Sequence, residues 1–327
     1  MTFRKLAVSA GALAALGTAV TWGAAAWNER RAEAEHPPQG EFVEVDGARV
    51  HYLRVGTGPE LVLIHGAGGN MRDFTFSFVD LVKDRFTVTA FDRPGLGYSD
   101  RVPGVDDGPF ATEGESPLQQ ARHLKKAAAM LGIEAPVVLG ASFGGIVAIA
   151  WAVDDLDTPS PQAADGLVMV GGVAMPWEGG LGPYYEVNAS PLGAVTVPLL
   201  SAFAPQSRVD AAIEGTFRPQ PAPEGYAEHI GAHLTLRREA FRANVRQVNG
   251  LKPHVIEMSE RYPELTLPIE MVHGDADETV PLRTHGPFAE IAPGADLTVL
   301  PGIGHMPHHV AAAEVIAAID RAVSRAK

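Results

Sequence analysis

Five short, predominantly apolar runs punctuate the chain: Leu61 to Ile64, Thr87 to Phe91, Val137 to Leu139, Leu167 to Val170 and Ile269 to Val272. Runs of this length without polar alternation are expected of strands buried on both faces. Helix-length segments separate them, at 70–83, 117–131, 143–153, 285–292 and 308–325. Strands that alternate with helices predict a mostly parallel sheet covered on both sides. Ahead of the first run, Phe42, Val43 and Val45, then Asp46-Gly47, then Val50, Tyr52, Leu53 and Val55 read as a β-hairpin with an Asp-Gly turn.

The rhythm breaks between about Pro176 and Pro263. No strand-like run occurs there, and prolines recur at positions 183, 191, 198, 205, 219, 221 and 223. The stretch reads as a mainly helical insertion between two strands. Residues 41–175 and 264–327 then form one core, and 176–263 a cap. Trp177, Tyr184, Tyr185, Phe203, Phe217 and Tyr226 either line a pocket under that cap or pack it onto the core.

The N-terminus has a different texture. Arg4 and Lys5 precede an uncharged stretch from Leu6 to Trp27, and Glu29, Arg30 and Arg31 follow it. As a helix, residues 6–27 would extend roughly 33 Å, enough for a hydrocarbon core of about 30 Å. Two readings compete: a signal anchor that holds the protein in a membrane, or a signal peptide cleaved near Ala24-Ala25-Ala26 or Ala32-Glu33-Ala34, which would leave a periplasmic or secreted protein. A surface helix is the third. Residues 28–40, with Pro37, Pro38 and Gly40, read as a linker, so 1–40 is set apart from the core.

Charge and composition narrow the function. The 327 residues carry 39 acidic against 26 basic side chains, a formal charge of -13, which disfavours binding to nucleic acid. There is no cysteine, so disulfides, thiolate catalysis and thiolate zinc sites are excluded. Nothing in the sequence specifies an oligomeric state.

Chemistry concentrates at loops after the strand-like runs. Gly140-Ala141-Ser142-Phe143-Gly144 follows Val137 to Leu139 directly and opens a helical segment. A serine on so sharp a turn crowds the positions two residues either side, which therefore need glycine. An alcohol needs a base, and among twelve histidines His305 stands in a glycine-flanked loop, Gly302-Ile303-Gly304-His305-Met306-Pro307, after the strand-like Leu297 to Leu300. A helix starting at Pro307 would make His308 and His309 ordinary first-turn residues. A metal site among these histidines has no carboxylate close in sequence to complete it. The acid that orients the base is expected after Ile269 to Val272, in His273-Gly274-Asp275-Ala276-Asp277-Glu278, where Asp277 and Asp275 compete. Asp275 also suits a turn, hydrogen-bonded to nearby amides. His65-Gly66-Ala67-Gly68-Gly69-Asn70 follows Leu61 to Ile64, and the amides of Ala67 and Phe143 are the expected oxyanion donors. The loop lacks the spacing and the Gly-Lys-Ser/Thr ending of a nucleotide site.

From Phe42 to the C-terminus the chain resembles the α/β-hydrolase superfamily. The matching segments are H-G-A-G-G-N, G-A-S-F-G-G, H-G-D-A-D-E-T-V-P and G-I-G-H-M-P, in that order. The resemblance implies an α/β-hydrolase fold with a helical cap, and a catalytic triad in which Asp277 is the acid. It also marks Asp92-Arg93-Pro94-Gly95-Leu96-Gly97-Tyr98-Ser99-Asp100 as a structural loop beside the site. Epoxide hydrolases and haloalkane dehalogenases of this kind carry aspartate where Ser142 stands. Serine points instead to acyl transfer, most simply on a small apolar carboxylic ester, with no metal or organic cofactor. Carbon-carbon bond hydrolases and cofactor-free haloperoxidase or perhydrolase-like enzymes share these residues, and a silent binding or scaffold member is the non-enzymatic reading.

Overall fold

The computed structural model describes the backbone of residues 3–326 and the side chains of residues 15–326. Eight strands form one sheet: β1 (Glu41–Val45), β2 (Ala48–Gly56), β3 (Glu60–Ile64), β4 (Thr87–Phe91), β5 (Val137–Ala141), β6 (Gly166–Val170), β7 (Ile269–Gly274) and β8 (Ala295–Leu300). Their order is β1-β2-β4-β3-β5-β6-β7-β8, with β2 antiparallel to both its neighbours and every other pair parallel. The hairpin turn has Asp46 at φ 52° and Gly47 at φ 85°, the pair of left-handed residues that matches the twist of two-residue hairpins.

The apolar runs are continuous because neighbouring residues serve opposite layers. Val62 and Ile64 of β3, Val138 of β5 and Leu167 and Met169 of β6 face a core formed with the helices Pro117–Met130 and Phe143–Asp157. Leu61 and Leu63, Leu139, and Val168 and Val170 face the other core, against Phe74, Phe78 and the helix Ala312–Arg325. Three of the expected helices are broken. The 70–83 segment forms Arg72–Thr75 and Phe78–Val82, the 285–292 segment forms Leu282–His285 and Phe288–Ile291, and the 308–325 segment forms Pro307–Val310 and Ala312–Arg325.

Between β6 and β7 the chain forms only helices, seven of them from Pro183 to Ser259. The last, Leu251–Ser259, sends Leu251, Val255 and Met258 into the first core rather than over the sheet edge.

The N-terminal stretch departs from expectation. One helix runs from Phe3 to Glu35, so most of the expected linker is helical. Among the described residues no helix is long and apolar enough to cross a membrane. The expected anchor at 6–27 is therefore not upheld as a span; the side chains of 6–14 lie outside the described residues. The physical reasons are an alanine-rich composition and a competing use of the far end. Thr21, Ala25 and Ala32 are buried. Asn28 donates to Ser201 O (3.0 Å) and Ala202 O (3.1 Å), Glu29 pairs with Arg238 at 2.7 Å and Glu33 with Arg237 at 2.9 Å. Tyr98 then donates to His36 O at 2.6 Å, fastening the helix end to the core.

The loop after β4 carries a buried carboxylate. Asp92 accepts from His51 Nδ1 (2.6 Å), Met71 N (2.7 Å) and Tyr98 N (2.8 Å), and Gly97, at φ 53°, has no room for a Cβ beside it. The loop is structural, as the resemblance implied. Removing a buried, fully bonded carboxylate strands its donors, so Asp92→Ala should cost about 3–5 kcal/mol in urea unfolding. The exposed pair Arg49–Asp100, at 3.0 Å, should contribute less than about 1 kcal/mol. Equal losses for Asp92→Ala and Asp100→Ala would contradict this ranking.

Candidate active site

Four loops converge at the C-terminal ends of the parallel strands, where sheets of this kind build their sites. Ser142 lies between β5 and the helix Phe143–Asp157, at φ 53° and ψ −119°. A non-glycine residue at such φ carries about 1–3 kcal/mol of strain. Its flanking glycines are required. A Cβ on Gly140 would overlap Gly144 O, and a Cβ on Gly144 would overlap Ile64 O at the end of β3. Ser142 has no side-chain hydrogen-bond partner among the described residues and lines a cavity of about 440 Å³. Phe143, as the first helical residue, has an amide that no helical carbonyl can engage.

His305 and Asp277 arrive from β8 and β7. His305 Nδ1 donates to Asp277 Oδ2 at 2.7 Å, so its Nε2 is the nitrogen turned elsewhere, and His305 lines the same cavity as Ser142. Asp277 Oδ1 accepts from Thr279 N and Val280 N, both at 2.8 Å. His273 Nε2 donates to Val280 O at 2.7 Å and lies 3.4 Å from Asp277 Oδ2. Burial pushes the Asp277 carboxyl up, but the nearby His273 imidazole and the hydrogen bonds from His305 and Val280 N outweigh it and hold the group well below the usual carboxylate range. Asp275 instead accepts from Gly302 N at 2.6 Å, in the turn role that competed for it.

Ala67 lines the cavity beside Gly66, and a Cβ on Gly66 would come within 3.0 Å of Ser142 Cβ. The loop is held from both sides. From the insertion, Asn244 Oδ1 accepts from Gly68 N at 2.7 Å and Thr235 donates to Gly68 O at 2.7 Å. From below, Arg93 donates to Gly66 O at 3.2 Å and stacks over the Phe143 ring at 4.2 Å, while its backbone N–H donates to His65 Nε2 at 2.9 Å. Burial lowers Arg93 to about 9. Sequence reasoning missed Arg93, Asn244 and Thr235. Arg93 sits inside a segment already marked as structural, and nothing local distinguishes the other two.

His308 and His309 are not ordinary first-turn residues. Their helix, Pro307–Val310, starts where expected, but His308 Nε2 lies 3.1 Å from Asp73 Oδ2 and His309 Nε2 2.8 Å from Asp73 Oδ1, and Tyr226 donates to Asp73 Oδ1 at 2.7 Å. Asp73 supplies the carboxylate that was missing near these histidines in sequence, and the three groups are close enough to surround a cation. The donor set fits a hydrogen-bonded cluster better. Nδ1 of each imidazole is buried without a partner, whereas metal-ligating histidines pass their second N–H to an acceptor. The cluster ties Tyr226 of the insertion to the segment that carries His305.

Of the aromatic residues singled out in the insertion, Tyr184, Tyr185, Phe217 and Tyr226 line the cavity; Trp177 packs on the core and Phe203 is exposed. Leu200, Val209, Ile213, Leu236 and Phe241 complete a largely apolar wall.

A mostly parallel eight-stranded sheet, a serine on a strained strand-to-helix turn and a histidine-carboxylate pair on the neighbouring loops define an α/β hydrolase. The model of the Alpha/beta hydrolase family matches residues 61–318, and the chain belongs to that family. It is similar to an uncharacterized protein of Mycobacterium tuberculosis, 28% identical over 296 residues that cover 87% of this chain and 81% of that one. Among solved structures it is similar to an alpha/beta hydrolase fold protein from Burkholderia ambifaria (TM-score 0.67, 22% identity, 87% of this chain and 98% of the other). It is also similar to the esterase RhEst1 from a Rhodococcus species (TM-score 0.65, 22% identity, 88% and 98%).

Two buried histidines make stability depend on pH. Burial, with Arg93 nearby, holds His65 down at about 4, and burial, with His273 nearby, does the same to His285, whose Nδ1 accepts from Met175 N at 3.0 Å. Between pH 6.5 and 4 the unfolded chain therefore binds more protons at these sites than the folded one. Stability should be fully present above pH 6.5 and fall by a few kcal/mol as pH drops to about 4. Urea midpoints measured across that interval check this, and a flat profile would contradict it.

Proposed function

We propose that this protein is a carboxylic-ester hydrolase in which Ser142 is the nucleophile, His305 its base and Asp277 the group that orients His305. The observation that carries the reading is the opening of the strained Ser142 turn into an apolar cavity that His305 also lines. Nδ1 of His305 is committed to Asp277, so Nε2 is the nitrogen that takes the Ser142 proton. Ser142 Oγ then adds to the ester carbonyl, and the amides of Ala67 and Phe143 receive the oxyanion. Collapse of the tetrahedral intermediate expels the alcohol, which leaves with the proton held on His305. Water, deprotonated by the same Nε2, cleaves the acyl-enzyme and restores Ser142. Asp277, kept ionised, supports the imidazolium in both halves.

Serine favours acyl transfer over the carbon displacement that an aspartate in its place would perform. The apolar wall suits an apolar acyl or alcohol group. The RhEst1 esterase shares the fold, which is compatible with this reading at 22% identity and does not extend to substrate.

A fluorophosphonate probe should label the wild-type chain and not Ser142→Ala, and Ser142→Ala or His305→Ala should lower kcat on p-nitrophenyl esters by roughly 10⁴-fold or more. Labelling that survives Ser142→Ala, or absence of turnover on every ester chain length, would overturn the assignment. Asn244→Ala, which frees the loop carrying Ala67, should lower kcat about tenfold, the worth of one well-placed hydrogen bond. An unchanged kcat would remove Asn244 from the positioning of that loop.

A further inference from the structure

The N-terminal helix and the insertion helix Gly193–Phe203 pack side by side, and each turns an apolar stripe away from the protein. On the insertion helix, Leu192, Val195, Leu199 and Phe203 are exposed and recur at three- and four-residue intervals, while Val197, Pro198 and Ser201 on the opposite face are buried. On the N-terminal helix, Leu16, Val20 and Trp27 are exposed, opposite the buried Thr21, Ala25 and Ala32. Asn28 meets the last turn of the insertion helix, and Trp22 shares a groove with Gly193, Ala194 and Val197 near its start, so the two helices run in the same direction. Both include a long uncharged stretch: no Asp, Glu, Lys or Arg occurs from Leu6 to Asn28 or from Val187 to Ser207, in a chain that is 20% charged. Uncovered apolar surface of this extent marks an interaction site.

We propose that this two-helix face docks on the interfacial region of a phospholipid bilayer, lying on the surface without spanning it. Three observations select a lipid surface over a protein. From Leu16 to Trp27 and from Leu192 to Phe203 the stripes offer no charged group with which to register a partner chain. Trp27, exposed on 70% of its surface and followed by the exposed Arg30 and the largely exposed Arg31, puts an aromatic ring and basic side chains together at the depth where headgroups meet acyl chains. The backbone of the N-terminal helix also continues from Thr21, the first buried residue among those described, back to Phe3, roughly 27 Å, through a stretch that is uncharged from Leu6 onward. The stripe adjoins the cavity: Leu200 and Ala204 line the wall next to Ser142, whereas their neighbours Leu199 and Phe203 face outward. An acyl chain leaving a bilayer at this face meets the cavity directly. The substrate class this implies, an acyl ester resident in a membrane, rests on the ester-hydrolase reading; the docking does not.

Docking is therefore read without catalysis. Full-length protein should float with phosphatidylcholine vesicles in a density gradient, and should stay bound in 1 M NaCl because the contact is apolar. The double variant Leu192→Glu/Val195→Glu, at positions away from the cavity, should lose at least tenfold in bound fraction while its turnover of p-nitrophenyl butyrate and its Tm stay unchanged. Brominated lipids should quench wild-type tryptophan fluorescence, which tests the face with no substitution. No flotation and no quenching would overturn the proposal, as would equal flotation of the double variant, which would leave the N-terminal helix acting alone. A dimer in light scattering that the double variant dissociates would assign the face to a second copy of the chain instead. Loss of ester turnover in wild type with flotation intact would remove the substrate class and leave the docking standing.

Discussion

The close approach between the turn at Ser142 and the end of β3 governs the geometry of the rest of the site. With Gly144 against Ile64 O and Gly140 against Gly144 O, no side chain fits between the serine turn and the neighbouring strand. The loop after β3 inherits that distance, since Gly66 stands almost in contact with Ser142 Cβ. The strain held at φ 53° is sustained by β5, the helix Phe143–Asp157 and β3, whose residues are mostly buried. Ser142, the loop that carries Ala67 and the helix N-terminus are thus placed by one packing constraint.

Around this centre the protein uses buried polar groups whose partners are distant in sequence. Arg93 remains largely cationic at neutral pH although buried, with the Glu115 carboxylate nearby; it donates to Gln120 and Gln247, lies over the Phe143 ring and supports the carbonyl of Gly66. Asn244 and Thr235 reach the same loop from above. Asp73 joins Tyr226 to His308 and His309. The helical insertion is therefore not a detached cover. Its hydrogen bonds end on the loops that carry Ala67 and His305, so its position and the geometry of those loops are linked.

The N-terminal helix extends this coupling outward. Its last turns are held to the insertion by Glu29–Arg238 and Glu33–Arg237, and its end to the core through Tyr98 and Arg72, which donates to Pro37 O at 2.5 Å. In the described part of a segment that composition alone suggests as a membrane span, Thr21 and Ala25 are thus spent on the protein while Leu16, Val20 and Trp27 are left uncovered.

Much of the framework was legible in the residues. Runs such as Leu61 to Ile64 are apolar throughout because both faces of a parallel strand are buried, Asp46-Gly47 supplies two left-handed residues, and a serine between glycines after a strand has few other uses. These are local constraints, and a sequence displays local constraints directly. Which of Asp277 and Asp275 meets His305, the burial of Arg93, the partners of His308 and His309, and the packing of the N-terminal helix on the insertion were set only in three dimensions. Each depends on groups separated by tens to hundreds of positions, as Asp73 and His309 are by 236. Such pairings are set by which surfaces the folded layers bring together, and no pattern along the chain encodes them.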